Sequence, residues 1–274
     1  MFTKLLKHEW KSNARLLVTL SLCMLGIALL GALDLRAIIA FASNDNGDSL
    51  TNLLLIPAAF FLLFVYIALI LYVSGTQFYL QYRFYKTRFT DEGYLTFTLP
   101  VKTSHIFLSS ALHILIWQLI ASCVLLLSIG VVIGLGVPWE NVDSAEMQEA
   151  LREFSVVFQY FWDTSALKYY LIFIPVSLVC AVLLPMSAIV IGSVLAKKYK
   201  LLAAIGILYA VSTLTGVFTG MISVITSIIA LNAEADIEVI MSITPLLSMI
   251  LPAILATCGY FLSINLMKNK LNLP

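Results

Sequence analysis

Residues 53–73 read LLLIPAAFFLLFVYIALILYV, a run without a single charged side chain. A helix needs about 20 mostly apolar residues to cross the roughly 30 Å hydrocarbon core of a bilayer. A single helix can also satisfy its own backbone hydrogen bonds there, which an isolated strand cannot. This stretch is therefore predicted to be a membrane-spanning helix.

Five more uncharged apolar stretches follow the same pattern, at about residues 16–33, 106–137, 169–195, 201–219 and 243–267. A charge at the centre of a spanning helix costs about 2.5–3.5 kcal/mol, so its absence from all six favours insertion. The composition agrees, because 61% of the 274 residues are hydrophobic and 11% are charged, against about a quarter charged in soluble domains. The chain is predicted to be an all-α integral membrane protein with six transmembrane helices.

The fifth stretch leaves two alternatives open. Its apolar character continues to residue 231, which is longer than one crossing requires. Gly216 and Gly220 interrupt it, so it is interpreted either as a span over 201–219 followed by a re-entrant helix over 220–231, or as one tilted helix. The same two glycines, like Gly130 and Gly134, form a GxxxG pair of the kind that permits close helix contact.

The charged residues divide between two sides of the predicted bundle. The segments before span one, between spans two and three, between four and five, and after six hold 13 of the 16 Lys and Arg residues. The opposite side holds 12 of the 15 acids, although the net charge is only +1. By the positive-inside rule, both termini are expected in the cytoplasm. The absence of a global basic excess argues against nucleic acid as a partner.

Residues 1–15 have an amphipathic helical pattern. Phe2, Leu5, Leu6 and Trp10 lie on one side of that helix, while the lysines at positions 4, 7 and 11 lie on another. The pattern predicts a helix at the cytoplasmic membrane interface, which could serve as a platform for a cytoplasmic partner. The alternative is a simple basic anchor for span one.

The longest predicted cytoplasmic segment, between spans two and three, contains the sequence TDEGYLTFTLP at residues 90–100. Thr90 is a suitable N-cap for a helix with two acids in its first turn, and Pro100 blocks its continuation. A short helix bounded at both ends is therefore expected. Its Tyr94, Leu95 and Leu99 would form an exposed apolar patch, which calls for a partner.

This segment resembles the loop between spans two and three in the permease subunits of type-2 ATP-binding cassette (ABC) exporters. That loop carries an acid, a glycine, a small or polar residue and leucines before a proline. This chain has Glu92, Gly93, Tyr94, Leu95, Leu99 and Pro100 at the matching positions. The resemblance implies that the short helix is a coupling helix seated in a cleft of an ATPase subunit. Its residues are Thr90, Asp91, Glu92, Gly93, Tyr94, Leu95 and Leu99.

The resemblance implies further features of the whole chain. Residues 1–15 would be the connecting helix, and residues 16–274 would form one six-span transmembrane domain in the cell membrane, as in bacterial members. The expected partners are ABC ATPase subunits, a second permease copy or a homologue of it in a dimer, and membrane lipid.

The chain lacks motifs for energy conversion and catalysis. No GxxxxGK[ST] string occurs, so ATP and Mg²⁺ are expected on the partner ATPase, and this chain is expected to bind no cofactor. No HExxH motif or pair of acids inside the spans points to catalytic or metal-binding residues. His113 is the one candidate for an ionisable group in a span, and a lone histidine there is more typical of packing.

The expected function is that of an exporter permease, not an enzyme by itself, which moves an amphipathic or hydrophobic substrate such as a peptide, a lipid or a drug. Spans without charge suit that substrate class. The main alternative is a non-transporting sensor or assembly subunit that recruits a cytoplasmic partner. A secondary transporter dependent on His113 ranks third, and a membrane enzyme ranks last.

Overall fold

The computed structural model describes residues 2–43, 49–90, 93, 101–138, 148–149, 152–153, 155–156, 166–196, 198–232 and 237–269. Within these ranges the chain forms six long helices and no strand. The helices are α1 (Phe2–Ser43), α2 (Ser49–Phe89), α3 (Thr103–Gly136), α4 (Ala166–Leu195), α5 (Lys200–Asn232) and α6 (Ile237–Asn269). Each is long and apolar enough to cross a membrane, as the sequence predicts.

The distribution of side chains is that of a protein surrounded by lipid. Large apolar side chains point outward, including Phe60, Leu126 and Leu202, which are 68–72% exposed. By contrast, the hydroxyl-bearing Ser109 and Ser128 are fully buried. In water such an arrangement would leave apolar surface far beyond what a soluble monomer exposes. The surface is therefore suited to contact with acyl chains.

Helix α1 is continuous over 42 residues, so the predicted division at residue 15 does not coincide with a helix end. No Gly or Pro stands between residues 2 and 25, so nothing in the sequence ends the helix at that point. The connecting helix predicted for residues 1–15 and the span that follows are parts of one element. The position of residues 1–15 at the membrane interface stays a prediction.

Helix α5 is also uninterrupted, over 33 residues, and so follows the single-helix alternative. The hydroxyls of Thr213, Thr215 and Ser223 donate to carbonyl oxygens of the preceding turn at 2.8–3.0 Å. These side chains therefore bond within the helix and do not draw the backbone out of it. The glycines at 216 and 220 lower helix propensity without ending the helix.

Contacts divide the chain into two compact units. The N-terminal unit comprises Thr3–Leu80 and Ile116–Met147, and the C-terminal unit comprises Met1–Phe2, Gln81–Leu115 and Gln148–Pro274. The boundaries after Leu80 and after Leu115 fall within helices, so α2 and α3 each contribute to both units. The prediction that 16–274 acts as one transmembrane domain stays a prediction.

In the N-terminal unit, α1 packs antiparallel to α2 and parallel to α3. The hydroxyls of Ser21 and Tyr72 lie 2.8 Å apart. Gly31 faces Val65 so closely that a Cβ on the glycine would lie 3.0 Å from the valine side chain. Near the start of α1, Trp10 stacks on Trp117, with ring centroids 4.8 Å apart.

In the C-terminal unit, α4 packs against both α5 and α6. Small residues permit these helices to pack closely. A Cβ on Gly192 would overlap the backbone of Ala204, and one on Gly259 would lie 2.7 Å from the hydroxyl oxygen of Ser187. The predicted GxxxG pairs do not have this role here, because a Cβ on Gly216 or Gly220 would meet no described atom within 4 Å. Close contact is made at isolated glycines.

Replacing Gly192 by Ala is expected to destabilise the C-terminal unit by about 1–3 kcal/mol, because the added Cβ forces α4 and α5 apart. The added Cβ would lie 2.5 Å from the Cα of Ala204. Gly206→Ala in α5 is the matched control, since a Cβ there meets no described atom within 4 Å. That variant should be neutral or more stable by up to about 1 kcal/mol. Thermal unfolding in detergent measures both, and equal melting temperatures would contradict the prediction.

Candidate functional site

Helix α2 is longer than a membrane crossing requires. Its 41 residues span about 62 Å, roughly twice the thickness of the hydrocarbon core. Antiparallel pairing of Ser21 with Tyr72 brings residue 16, the predicted start of span one, level with about residue 77 of α2. The end of α2 leads directly into the segment at residues 90–100.

Buried aromatic rings surround this end of α2. Phe84 meets Phe89 and Phe107 edge-to-face, with centroids 5.7 and 6.1 Å apart. Phe107, at the start of α3, meets Tyr260 of α6 in the same way at 5.6 Å. The three phenylalanines are at most 4% exposed. Edge-to-face pairs add about 0.5–1.5 kcal/mol each beyond area burial. These four residues, here called the aromatic cluster, connect α2, α3 and α6.

Two polar side chains near the same end of α2 form hydrogen bonds to neighbouring helices. Nη2 of Arg88 donates to Oγ of Ser110 in α3 at 3.3 Å, and Nε2 of Gln81 donates to the carbonyl oxygen of Val182 in α4 at 3.4 Å. Arg88, Gln81 and Ser110 are each at most 6% exposed. The end of α2 is thus bonded to α3 and α4 in addition to its aromatic contacts.

The chain leaves α2 through Thr90 and Gly93, two of the predicted coupling residues. The Thr90 hydroxyl donates to the carbonyl oxygen of Lys86 at 2.5 Å, so it bonds back to α2. Its predicted role as an N-cap, in which the side-chain oxygen would also accept from the following turn, stays a prediction. The Gly93 N–H donates to the Thr90 carbonyl oxygen at 2.8 Å.

Gly93 lies directly against the backbone of Arg88. A Cβ at position 93 would overlap the carbonyl oxygen of Arg88 and lie 2.8 Å from its carbonyl carbon. Glycine is therefore required here by close approach of two backbone segments. The sequence identifies Gly93 only as part of a family-like motif, and gives no sign of this contact.

The other predicted coupling residues lie outside the described residues. They are Asp91, Glu92, Tyr94, Leu95 and Leu99. The structure therefore shows what the segment is attached to at its start, which is the end of α2 with Phe84, Arg88 and Phe89. On the far side, α3 begins at Thr103, and the N–H of His105 donates to the Lys102 carbonyl oxygen at 2.9 Å.

The predicted interface residues of the N-terminus are in the first turns of α1. Leu5 and Leu6 are half-buried, and Phe2 begins the helix. Trp10 has a contact that its amphipathic pattern does not predict, because it stacks on the buried Trp117. Trp10 is therefore a packing residue of the N-terminal unit as well as a candidate for the interface.

His113, the candidate ionisable residue of span three, is 3% exposed. In the described part of the chain, no group of three His, Cys, Asp or Glu side chains is placed to hold a metal ion.

Sequence reasoning missed the residues that build this site most directly. Arg88, Phe84 and Phe89 stand in an aromatic and basic stretch that aromatic belts and basic flanks of spanning helices would also produce. Phe107 and Tyr260 lie inside apolar runs, where nothing distinguishes them from residues that face lipid. The adjacent Ser109 and Ser110 were the one available signal of a buried face on α3, since polar side chains in a span usually point inward.

Comparison with known proteins gives no match to this chain, whether with a family model, a curated protein or a solved structure. The resemblance to type-2 ABC exporter permeases therefore rests on the sequence features above: the motif from Glu92 to Pro100 and, in equal measure, the layout of the whole chain.

Proposed function

We propose that the chain is the permease subunit of an ATP-driven ABC exporter of the type-2 class. The observation that carries the proposal is the attachment of the segment at residues 90–100. This segment begins on a buried platform in which Phe84, Phe107 and Tyr260 connect α2, α3 and α6. A push on the segment would therefore reach three membrane-spanning helices at once.

Hydrolysis belongs to another subunit in this proposal. ATP and Mg²⁺ bind the partner ATPase, and the coupling helix of this chain, Asp91 to Leu99, sits in a cleft of that partner. The excess of basic residues on one side supports cytoplasmic termini in the cell membrane. Two permeases, identical or homologous, would form the dimer between which the substrate moves.

The substrate is amphipathic or hydrophobic, such as a peptide, a lipid or a drug, and leaves the cytoplasm or the inner leaflet. None of the predicted spans carries Asp, Glu, Lys or Arg. A fixed ion of a hydrophilic substrate would therefore meet no countercharge on the way across.

Loss of the ATPase partner is the expected result of changing Gly93 to Pro and Leu95 to Glu together. Pro removes the Gly93 N–H that bonds Thr90, and Glu puts a charge into the predicted apolar patch. The tagged full-length chain is purified from native membranes, and the eluate is assayed for ATP hydrolysis. Recovered activity should fall at least tenfold.

Lys198→Glu is the control, because it changes an exposed charge in the link between α4 and α5. It should leave the recovered activity within a factor of two. Retention of coupled hydrolysis in the double variant would refute the coupling role. A wild-type eluate without any ATP hydrolysis would favour the alternative function, a sensor or assembly subunit with another cytoplasmic partner.

A further inference from the structure

Arg88 is a buried cation at the point where α2 ends. It is 5% exposed, whereas Lys86, two residues earlier on the same helix, is exposed. Removing a guanidinium from water costs several kcal/mol, which its contacts must offset. One of those contacts is the bond from Nη2 to Ser110 in α3. Its place in the last turn also favours a cation, because the carbonyl end of a helix carries partial negative charge.

The backbone of the same residue supports the start of the predicted coupling helix. Gly93 lies so close to the Arg88 carbonyl group that no side chain fits between them. Gly93 is itself buried, and its N–H bonds Thr90. The Arg88 side chain thus holds α3 while its carbonyl group meets Gly93. One residue connects the end of α2, the start of α3 and the first turn after Thr90.

We propose that Arg88 is a positioning residue that, through its bond to Ser110, fixes the Gly93 turn at the base of the coupling segment. Any force on that turn is then delivered to α2 and α3 together. Without the bond, the last turn of α2 moves independently of α3, and the Gly93 turn opens more often. The inference rests on the proposed function, because only a coupling segment gives this positioning a use. The positioning itself depends on residues of this chain alone.

The adjacent serines of α3 provide a matched pair of variants. Ser109 and Ser110 are both buried, and both donate to the Ile106 carbonyl oxygen, at 3.0 and 3.2 Å. Arg88 donates to Ser110. Ser110→Ala therefore removes the Arg88 bond, while Ser109→Ala removes a buried hydroxyl of the same helix turn. Arg88→Gln removes the guanidinium itself.

Exchange of the Gly93 amide hydrogen with solvent reports on the turn. The chain has 13 glycines, and Glu92–Gly93 is its single Glu–Gly pair. Labelling with carbonyl-¹³C glutamate and ¹⁵N glycine therefore selects the Gly93 amide in an NMR spectrum. The full-length chain is studied in lipid nanodiscs without any ATPase. Total ¹⁵N-glycine spectra show that each variant keeps its fold.

The Gly93 amide is expected to exchange at least tenfold faster in Arg88→Gln and Ser110→Ala than in the wild type. Ser109→Ala should leave the rate within a factor of two. Equal rates in Ser110→Ala and the wild type, or equal acceleration in Ser109→Ala, would overturn the positioning role. Because no ATPase is present, this result is independent of the co-purification experiment, so either inference can fail without the other.

Discussion

Phe107→Ala is expected to lower the free energy of unfolding by about 3–5 kcal/mol, the range found when a large buried aromatic side chain is deleted. Phe107 is 0% exposed and contacts Phe84 on one side and Tyr260 on the other. Its removal leaves a cavity and breaks two edge-to-face pairs at once. The three helices that it joins cannot all collapse into that space.

Phe261→Ala is the matched control for this measurement. Phe261 is next to Tyr260 in α6 but is 71% exposed, so its loss creates no cavity. Its ring meets that of Tyr260 edge-to-face at 5.4 Å, so the expected change is about 0.5–1.5 kcal/mol, still well below that of Phe107→Ala. SDS titration in mixed micelles, followed by circular dichroism, gives both free energies. Equal effects of the two substitutions would mean that the aromatic cluster does not hold the C-terminal unit together.

Trp117→Ala is expected to destabilise the N-terminal unit by a similar amount, about 3–5 kcal/mol. Trp117 is 3% exposed, and its ring lies at an interplanar angle of 26° to that of Trp10. Deleting it separates α1 from α3 at the predicted cytoplasmic end of their contact. Trp10→Ala should cost less, because Trp10 is already 36% exposed.

The double variant Trp10→Ala/Trp117→Ala shows whether Trp10 stabilises the chain by stacking on Trp117 or only as an interfacial anchor. If the two rings stabilise each other, the double-mutant cycle gives a coupling free energy of about 0.5–1.5 kcal/mol. If Trp10 serves only as an interfacial anchor, the two single effects add and the coupling free energy is zero. The unfolding experiment used for Phe107 measures all four chains of the cycle. An additive result would exclude the stack as a source of stability.

The helices themselves could be predicted from the sequence, but their ends and contacts could not. Five of the six predicted spans lie inside observed helices, and the third, at 106–137, ends one residue beyond its helix at Gly136. Helix α1, however, begins at Phe2 and does not end near residue 15, because a polar stretch without Gly or Pro continues a helix as readily as it precedes one. Hydropathy detects the part of a helix that lies in lipid, and it is insensitive to how far the helix continues beyond it.

The candidate site was predictable only in its chain position. Thr90 and Gly93 were identified by their order in a motif, and both lie where α2 ends. The contact of Gly93 with Arg88 depends on the local backbone path after α2, and the bond of Arg88 to Ser110 joins residues 22 positions apart that meet only after folding. A motif records which residues are present, and it contains no information about backbone approach.

Charge and apolar runs in the sequence therefore determine that this chain forms six helices long and apolar enough to cross a membrane, with most basic residues on one side of the predicted bundle. The physical reason is that the bilayer excludes charge and unpaired backbone groups regardless of the rest of the fold. The tertiary structure alone decides that Phe107 meets Phe84 and Tyr260, and that Gly192, not Gly216, lies in a close contact. Helices that are apolar on every side show no periodicity that marks the inner face, and packing in lipid selects partners by shape.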